Sequence, residues 1–154
     1  MSTDASFKVY SNIPALKMNE ALTVAKLNNL QLLSYTVVAS TLDSKAVVSL
    51  ARLLPGQVVI RATAVVNDAF TLNDESTLTV GFAATAAGAP SVDLMDEKQT
   101  TFALNQAFND NNNAPYVVQA ATPFLNISND TSTTATANGS LVINLLVSNS
   151  AVNA

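Results

Sequence analysis

Several chemically versatile residues are missing from this chain of 154 residues, which contains no cysteine, no histidine and no tryptophan. The absence of cysteine excludes disulfides, thiolate zinc sites, iron–sulfur clusters and cysteine nucleophiles. The absence of histidine removes the commonest general base and the commonest transition-metal ligand. Most familiar catalytic arrangements are therefore excluded, and we predict that the protein is not an enzyme.

Charge is also scarce. Charged residues make up 12% of the chain, against about 25% in an average protein, whereas apolar residues make up 49%. The chain contains seven basic and 11 acidic residues, which gives a net charge of −4. The basic residues are scattered singly, but a nucleic-acid binder needs clustered cations to neutralise phosphates. We therefore predict no nucleic-acid partner and, for the same reason, no association with an anionic membrane.

Long hydrophobic runs are missing as well. The longest fall far short of the ~18 apolar residues that a membrane helix requires. Residues 1–10 contain no basic region followed by an apolar core, so no signal peptide is predicted. Glycan-acceptor tripeptides begin at Asn126, Asn129 and Asn138, but such matches arise by chance in a segment rich in asparagine, serine and threonine. Together with the missing cysteine, this favours synthesis in a cytoplasm.

The sequence does contain short segments in which apolar and polar residues alternate. Alternation places every second side chain on one face, as in a half-buried strand. The first segment places four residues on one face, namely Leu33, Tyr35, Val37 and Ala39. The clearest predicted strands are residues 33–40, 46–53, 58–66, 76–82, 100–104, 116–121 and 141–147. This pattern predicts an all-β fold, a single β-sandwich or jelly-roll-like domain of about eight strands.

The clearest turn signal in the sequence is Leu54-Pro55-Gly56-Gln57. Proline presets φ for the second position of a type II turn, and glycine tolerates the positive φ of the third. In the strand that follows, residues 58–66, one face is predicted to hold Val58, Ile60, Ala62, Ala64 and Val66, and the other Val59, Arg61, Thr63 and Val65. Both faces are largely apolar, with only Arg61 and Thr63 polar. Two apolar faces indicate cover on both sides, by a second sheet or by a partner chain. Asn138-Gly139 is a hairpin signal before the last strand.

Three further segments are given local interpretations. The acidic residues 72–75 predict a turn, and the charged residues 93–98 predict one helical turn, on which Asp93 and Glu97 would share a face. Residues 126–140, dominated by threonine, serine, asparagine and alanine, indicate either a β-rich, uncharged contact surface or an exposed loop. A glycosidase would need paired carboxylates in a cleft with aromatic sugar platforms, and the chain offers three tyrosines and no tryptophan.

A structural cation is a better alternative than catalysis, because calcium needs only oxygen ligands. One group of oxygen donors is Asp68, Asn73, Asp74 and Glu75, and a second is Asp110, Asn111 and Asn113. Neither group has the spacing of a known calcium loop, and such clusters commonly form turns. We therefore predict no metal and no cofactor.

The remaining organisation follows from composition. Residues 1–30 lack a sustained period and predict an N-terminal arm, in which residues 18–28 form either a short helix or an irregular strand. Residues 31–148 form the β-sandwich domain and residues 149–154 a C-terminal tail. Arms of this kind are ordered by neighbouring molecules, so we predict a partner interface at five apolar residues of the arm, Phe7, Val9, Tyr10, Ile13 and Leu16. The alternative is that these side chains fold back on their own domain.

One stretch resembles a pattern in head proteins of tailed bacteriophages. In residues 51–70 the turn Leu53-Leu54-Pro55-Gly56 leads into an apolar strand that ends near the pair Ala69-Phe70, and the strand Ser76-Thr-Leu-Thr-Val-Gly-Phe82 follows. The resemblance is to small capsid decoration (cement) proteins with a β-sandwich or jelly-roll domain. It covers about 30 of the 154 residues.

The resemblance implies a non-enzymatic virion protein on the exterior of a phage head. It implies a homotrimer clamped over threefold or quasi-threefold junctions of the shell, with the major capsid protein as partner and the arm reaching along it. The residues alone leave two alternatives open. One is a receptor- or carbohydrate-binding β-sandwich, as in tail fibres, pilins or lectins, and the other is a different structural component of the virion or tail.

Overall fold

A computed structural model describes residues 30–43, 45–108, 113–130 and 138–149, without the side chains of residues 73–76. All of these residues except Leu30 belong to one compact unit, residues 31–154. The described part of the chain contains nine strands, one short 3₁₀ helix and no α-helix, which confirms the all-β prediction. It holds no helix of the length and apolarity that a membrane span requires. The predicted arm, its helix over residues 18–28 and the C-terminal tail after residue 149 lie outside the described residues.

The strands follow one another with short connections. They are β1 (Leu30–Val38), β2 (Val47–Arg52), β3 (Val58–Asp68), β4 (Phe70–Ala83), β5 (Val92–Phe102), β6 (Ala107–Phe108), β7 (Tyr116–Val117), β8 (Phe124–Asn129) and β9 (Ser140–Ser148). The 3₁₀ helix, Ala39–Thr41, directly follows β1.

Two antiparallel sheets form a sandwich. The first sheet has the order β1-β9-β3-β6, and β7 also pairs with β3. The second sheet has the order β2-β8-β4-β5. Consecutive strands often lie in different sheets, as β1 and β2 or β8 and β9 do, so the chain crosses repeatedly from one sheet to the other.

The core lies between the sheets and consists of alternate residues from both. Its largest fully buried side chains include Leu94, Leu125, Ile127, Ile143 and Leu145. A row of phenylalanines closes one side, because Phe70 stacks on Phe102 with ring centroids 4.5 Å apart and Phe102 meets Phe108 edge-on at 5.8 Å. Such aromatic pairs add about 0.5–1.5 kcal/mol each to the free energy gained by burial. This row links β4 and β5 of the second sheet to β6 of the first.

The predicted turn at residues 54–57 is present. The Gln57 backbone N–H donates to the Leu54 carbonyl oxygen at 3.1 Å, and Gly56 has a φ of 94°, as the third position of a type II turn requires. The Gln57 side chain completes the turn, since its Oε1 accepts from the Leu54 N–H at 2.7 Å. The turn therefore delivers the chain into β3 in a fixed direction.

The predicted faces of β3 are right in part. Ala62, Ala64 and Val66 point into the core as expected, but Val59 is buried and Ile60 is 38% exposed, the reverse of the prediction. The register against β9 shifts between Val59 and Arg61. A bulge of this kind inserts one residue and inverts the alternation on its far side. Both Ile60 and Arg61 therefore reach the solvent side of the first sheet.

Two local predictions in the second sheet are wrong. Residues 93–98 are not helical, because they belong to β5 and pair with β4 along its length. Residues 72–75 do not end a strand, since the backbone of β4 continues through them with an irregularity between Thr71 and Ser76. In both cases cross-strand pairing outweighs the local preference of charged residues.

Strand β8 is not among the clearest predicted strands, and it is the central pairing strand of the second sheet, between β2 and β4. Of the two predictions for residues 126–140, exposed loop is wrong for residues 126–129, because they belong to β8, where Ile127 fills the core beside Leu125 and the polar side chains are buried too. The β-rich alternative is right for these four residues. Asn129 Nδ2 donates to the Leu42 carbonyl oxygen at 3.0 Å, which satisfies that buried amide. The predicted strand over residues 116–121 shrinks to β7 and one isolated bridge between Gln119 and Thr122.

A glycine pair tests the packing of the second sheet. A Cβ added at Gly81 would lie 2.1 Å from the Val92 carbonyl oxygen, whereas one at Gly88 would lie 3.0 Å from the Thr85 hydroxyl, which can rotate away. We expect Gly81→Ala to lower the free energy of unfolding by about 1–3 kcal/mol through overpacking. Gly88→Ala should change it by less than about 0.5 kcal/mol. Urea unfolding midpoints measure both, and equal midpoints for the two variants would contradict this packing.

Candidate functional site: the outer face of the first sheet

Exposed hydrophobic side chains are concentrated on one sheet. Among the described residues, seven large apolar side chains are exposed, and five of them belong to the first sheet: Leu30, Leu32, Val38, Ile60 and Val117. Single exposed apolar residues are normal on protein surfaces, but neighbouring ones mark sites of association. The solvent-facing side of this sheet is therefore the candidate site.

Strand β1 contributes to this side through its alternation. Leu33, Tyr35 and Val37 pack against the core, as predicted, so the residues between them point to solvent. Ser34 Oγ donates to Asn144 Oδ1 at 2.5 Å, which places the outward side chains of β1 beside those of β9. Leu32, 69% exposed, is the most exposed large apolar side chain among the described residues.

Strands β9 and β3 continue the surface. In β9 every second residue from Leu141 to Val147 is buried, and those between are half-buried. Leu146 pairs with Arg61, and Val142 pairs with Val65. We call this side of the sheet the outer face. Its apolar members are Leu30, Leu32, Val38, Ile60, Val65, Val117, Val142 and Leu146.

Charge is nearly absent from the outer face. Arg61 is its one central cation, and it has no ion-pair partner within the described ranges; Asp68 lies at the end of β3. A surface with so little charge can be dehydrated without the large cost of burying ions. Its burial against apolar groups would be favourable by roughly 25 cal/mol per Å². The outer face is therefore suited to a protein partner with an apolar surface.

The opposite side of the sandwich differs in chemistry and is partly closed by the chain itself. On the second sheet, Thr79 Oγ1 and Ser128 Oγ each donate to a carboxylate oxygen of Asp130 at 2.8 Å. The segment 84–91 folds over this side, because Asn126 Nδ2 donates to the carbonyl oxygens of Thr85 at 2.9 Å and Gly88 at 2.7 Å. This side is polar, and most of the groups named here bond within the chain, although the buried Asn126 Oδ1 has no hydrogen-bond partner among the described residues. Its polarity makes it the weaker candidate for apolar docking.

The acidic residues singled out from the sequence do not assemble into a reactive site. Glu97 lines a cavity of about 20 Å³ between the sheets, a volume that admits one water at most. Asp93 instead lies near Asp96 and Asp130, so it does not form the face with Glu97 that a helix would create. Burial raises the pKa of the Asp93 carboxyl above its usual range, and the charges of Asp96 and Asp130 raise it further.

Some of the oxygen donors that the sequence offers for a cation lie outside the described residues. The side chains of residues 73–76 and residues 109–112 are not described, Asp68 is exposed at the end of β3, and Asn113 Nδ2 donates to the Asp93 carbonyl oxygen at 2.5 Å. Within the described ranges, no three acidic side chains lie close enough together to hold a metal ion.

The predicted interface residues Phe7, Val9, Tyr10, Ile13 and Leu16 lie outside the described residues, so the structure neither brings them together nor separates them. The residues of the outer face, in contrast, were not predicted from the sequence as an interface. A signal for this face was present in the two apolar faces of residues 58–66, which indicated cover on both sides. The missing step was the bulge that turns Ile60 outward.

Asp93 gives the second sheet a pH-dependent stability. Because its pKa is raised in the fold, the ionised carboxylate destabilises the protein above that pKa, and the penalty disappears below the pKa of the unfolded chain. We expect Asp93→Asn to raise the urea midpoint slightly at about pH 7 and to leave it unchanged at about pH 3. The exposed Asp68→Asn is the matched control. A stabilisation that persists undiminished at low pH would contradict this electrostatic origin.

Comparison with known proteins concerns the fold. No family model and no curated protein matches the chain. Among solved structures, a chain in the capsid asymmetric unit of cyanophage Pam1 is similar with a TM-score of 0.50 and 17% identity, over 78% of this chain and 84% of that one. A chain in the capsid of Ralstonia phage GP4 has a TM-score of 0.48 and 13% identity, over 77% and 83%. At 17% identity the likeness to the Pam1 chain is one of fold.

Proposed function

We propose that this protein is a non-enzymatic structural component of a phage virion, a capsid decoration protein that binds the outside of the head. The observation that carries the proposal is the outer face, a nearly uncharged apolar surface on the first sheet of a protein without histidine or cysteine. The fold that it shares with a chain of the Pam1 capsid supports the same conclusion. The proposal assigns no catalytic residue, cofactor or metal.

Apolar contact supplies the affinity in this account. Leu32, Ile60 and Leu146 would be covered by the major capsid protein, while Arg61 would meet a carboxylate or a carbonyl oxygen at the contact. Burial of apolar area is non-directional, and salt does not screen it as it screens an ion pair. The attachment would therefore depend on shape and area, and it would need no reactive group.

Bridging follows from multivalency. We propose a homotrimer over a threefold or quasi-threefold junction, where each subunit contacts a different copy of the major capsid protein. Once one subunit is attached, the second and third contacts become intramolecular, so a modest interface per subunit gives a lasting attachment. Packaged DNA pushes the shell outward, and adjacent capsomers could separate only after the trimer had released these contacts.

Residues 1–30 would serve as an arm in addition to the outer face. The sequence places Phe7, Val9, Tyr10, Ile13 and Leu16 on it, and an extended segment can add to the edge of a partner's sheet through main-chain hydrogen bonds. The arm would reach along the major capsid protein and fix the orientation of the domain. Residues 31–148 would then form the body that covers the junction.

A charge placed on the outer face tests the docking surface. Ile60→Asp puts a carboxylate on the outer face, and we expect at least a tenfold loss of affinity for expanded phage shells that lack this protein, because the charge must be dehydrated on binding. Leu104→Asp is the matched control, since Leu104 is 58% exposed on the turn after β5 and is not one of the outer-face residues. Co-sedimentation with shells measures both variants.

Equal binding by Ile60→Asp and the wild type would show that the outer face is not the surface that docks on the shell. Gel filtration combined with a glycan screen separates the wider alternatives. A trimer without glycan binding agrees with decoration, whereas specific capture of a glycan would favour a receptor- or carbohydrate-binding sandwich.

Removal of the arm gives an independent test. We expect a chain lacking residues 1–16 to keep the unfolding midpoint of the full chain, because the described core contains none of these residues, and to lose binding to expanded shells. Urea unfolding and co-sedimentation provide the two readouts. Undiminished binding by the shortened chain would refute the role given to the arm.

A further inference from the structure

Within the described residues, strand β1 forms an open edge of the first sheet. Among the described strands it pairs with β9 alone, so the main-chain groups on its other side have no strand partner there. Its nine residues, LQLLSYTVV, include no charged residue and no proline. Natural proteins usually protect edge strands against association by charge, proline, bulges or short length, and β1 has neither charge nor proline over its nine residues.

The other described edges are protected. Strand β5 carries four charged residues in succession or nearly so, Asp93, Asp96, Glu97 and Lys98. Strand β2 has a register irregularity between Ser49 and Ala51 and ends on Arg52. On the far side of the first sheet, β6 and β7 have two residues each. The contrast singles out β1 as an edge available for pairing.

The hydrogen-bonding side of β1 can be assigned residue by residue. The Ala39 N–H, just beyond the strand, donates to the Gly139 carbonyl oxygen at 2.9 Å. Main-chain groups of successive residues in a strand point to opposite sides, so odd-numbered residues of β1 face β9. Leu32, Ser34 and Thr36 therefore direct their N–H and C=O groups toward the open edge.

We propose that β1 pairs in antiparallel fashion with β1 of a second copy of this chain, about a two-fold axis at Ser34. Ser34 is the midpoint of Leu30–Val38, so this register pairs the whole strand. It sets Leu30 opposite Val38 and Leu32 opposite Thr36 of the other copy. Because β1 carries no charge, self-pairing brings no like charges together, and the outer faces of the two copies form one continuous surface.

The inference goes beyond the proposed function, since it concerns a contact between copies that needs no shell. A two-fold contact uses the same surface on both partners and closes on itself. Where three copies form a trimer through another surface, β1 would connect one trimer to the next. The short pairing alone is weak, and it would be strengthened where neighbouring copies are held at high local concentration.

A cysteine placed at the two-fold axis tests the pairing, because the natural chain has none. In a hydrogen-bonded antiparallel pair the Cα atoms lie about 5.5 Å apart, within the range of about 4.4–6.8 Å that a disulfide spans. We expect oxidised Ser34→Cys to form covalent dimers at least ten times faster than Ser49→Cys, an exposed serine on the edge strand β2. Non-reducing electrophoresis and intact mass measure the dimers.

A second change in the Ser34→Cys background identifies strand pairing as the cause. Thr36→Pro removes an N–H that points to the open edge, and Thr36→Lys adds the charge that edge strands commonly use for protection. We expect either change to reduce dimer formation at least tenfold while the unfolding midpoint stays near that of the parent. High salt should not reduce it, because the contact contains no ion pair.

Cross-linking of Ser34→Cys no faster than that of Ser49→Cys would overturn the proposal. So would rapid cross-linking that neither change at Thr36 reduces, because the copies would then meet without pairing their β1 strands. Shell binding by the same variants is a separate measurement. A chain that dimerises through β1 but binds no shell would refute the proposed function and leave this inference intact.

Discussion

Burial of one face of each sheet against the other is the constraint on which the rest of the structure depends. The inner faces take alternate residues from β3 and β9 on one side and from β4 and β8 on the other. Apolar side chains outside this layer are unevenly placed: of the seven large ones exposed among the described residues, five belong to the first sheet. The outer face is the result of that placement.

The placement of charge completes this division. The acidic residues of β5 lie along one edge of the second sheet, and Asp130 on the outside of that sheet is satisfied by Thr79 and Ser128. The first sheet keeps Arg61 as its one central charge. The second sheet thus carries a row of charged residues on β5, whereas the first sheet carries most of the exposed large apolar side chains among the described residues. The same asymmetry leaves β1 free of the charges that would prevent pairing at its edge.

The parts of the fold that were predictable are those fixed by local chemistry. The Pro55-Gly56 turn follows from two residues with restricted or unusual φ, and the buried face of β1 follows from strict alternation. The predictions fail where the neighbouring strand, rather than the local sequence, determines the conformation or the buried face. A bulge against β9 inverts Val59 and Ile60, β4 imposes the extended form on the charged β5, and β8 is buried although half of its residues are polar.

The sequence predicted that the protein has a contact surface, but it did not predict where on the fold that surface lies. Composition indicated a contact surface, and the two apolar faces of residues 58–66 indicated cover on both sides. The location of the outer face required the strand order, because Leu32, Leu146 and Ile60 are distant in sequence and meet only across three paired strands. A local sequence pattern cannot show which distant strands become neighbours in a sheet. The arm residues predicted as the interface stay a prediction.

Electron cryomicroscopy of a phage particle that contains this chain tests the central claim most directly. The account predicts density for the sandwich on the outside of the shell at threefold or quasi-threefold positions, with the outer face of the first sheet against the major capsid protein. A particle in which that face points to solvent, or in which the chain lies inside the head, would contradict it.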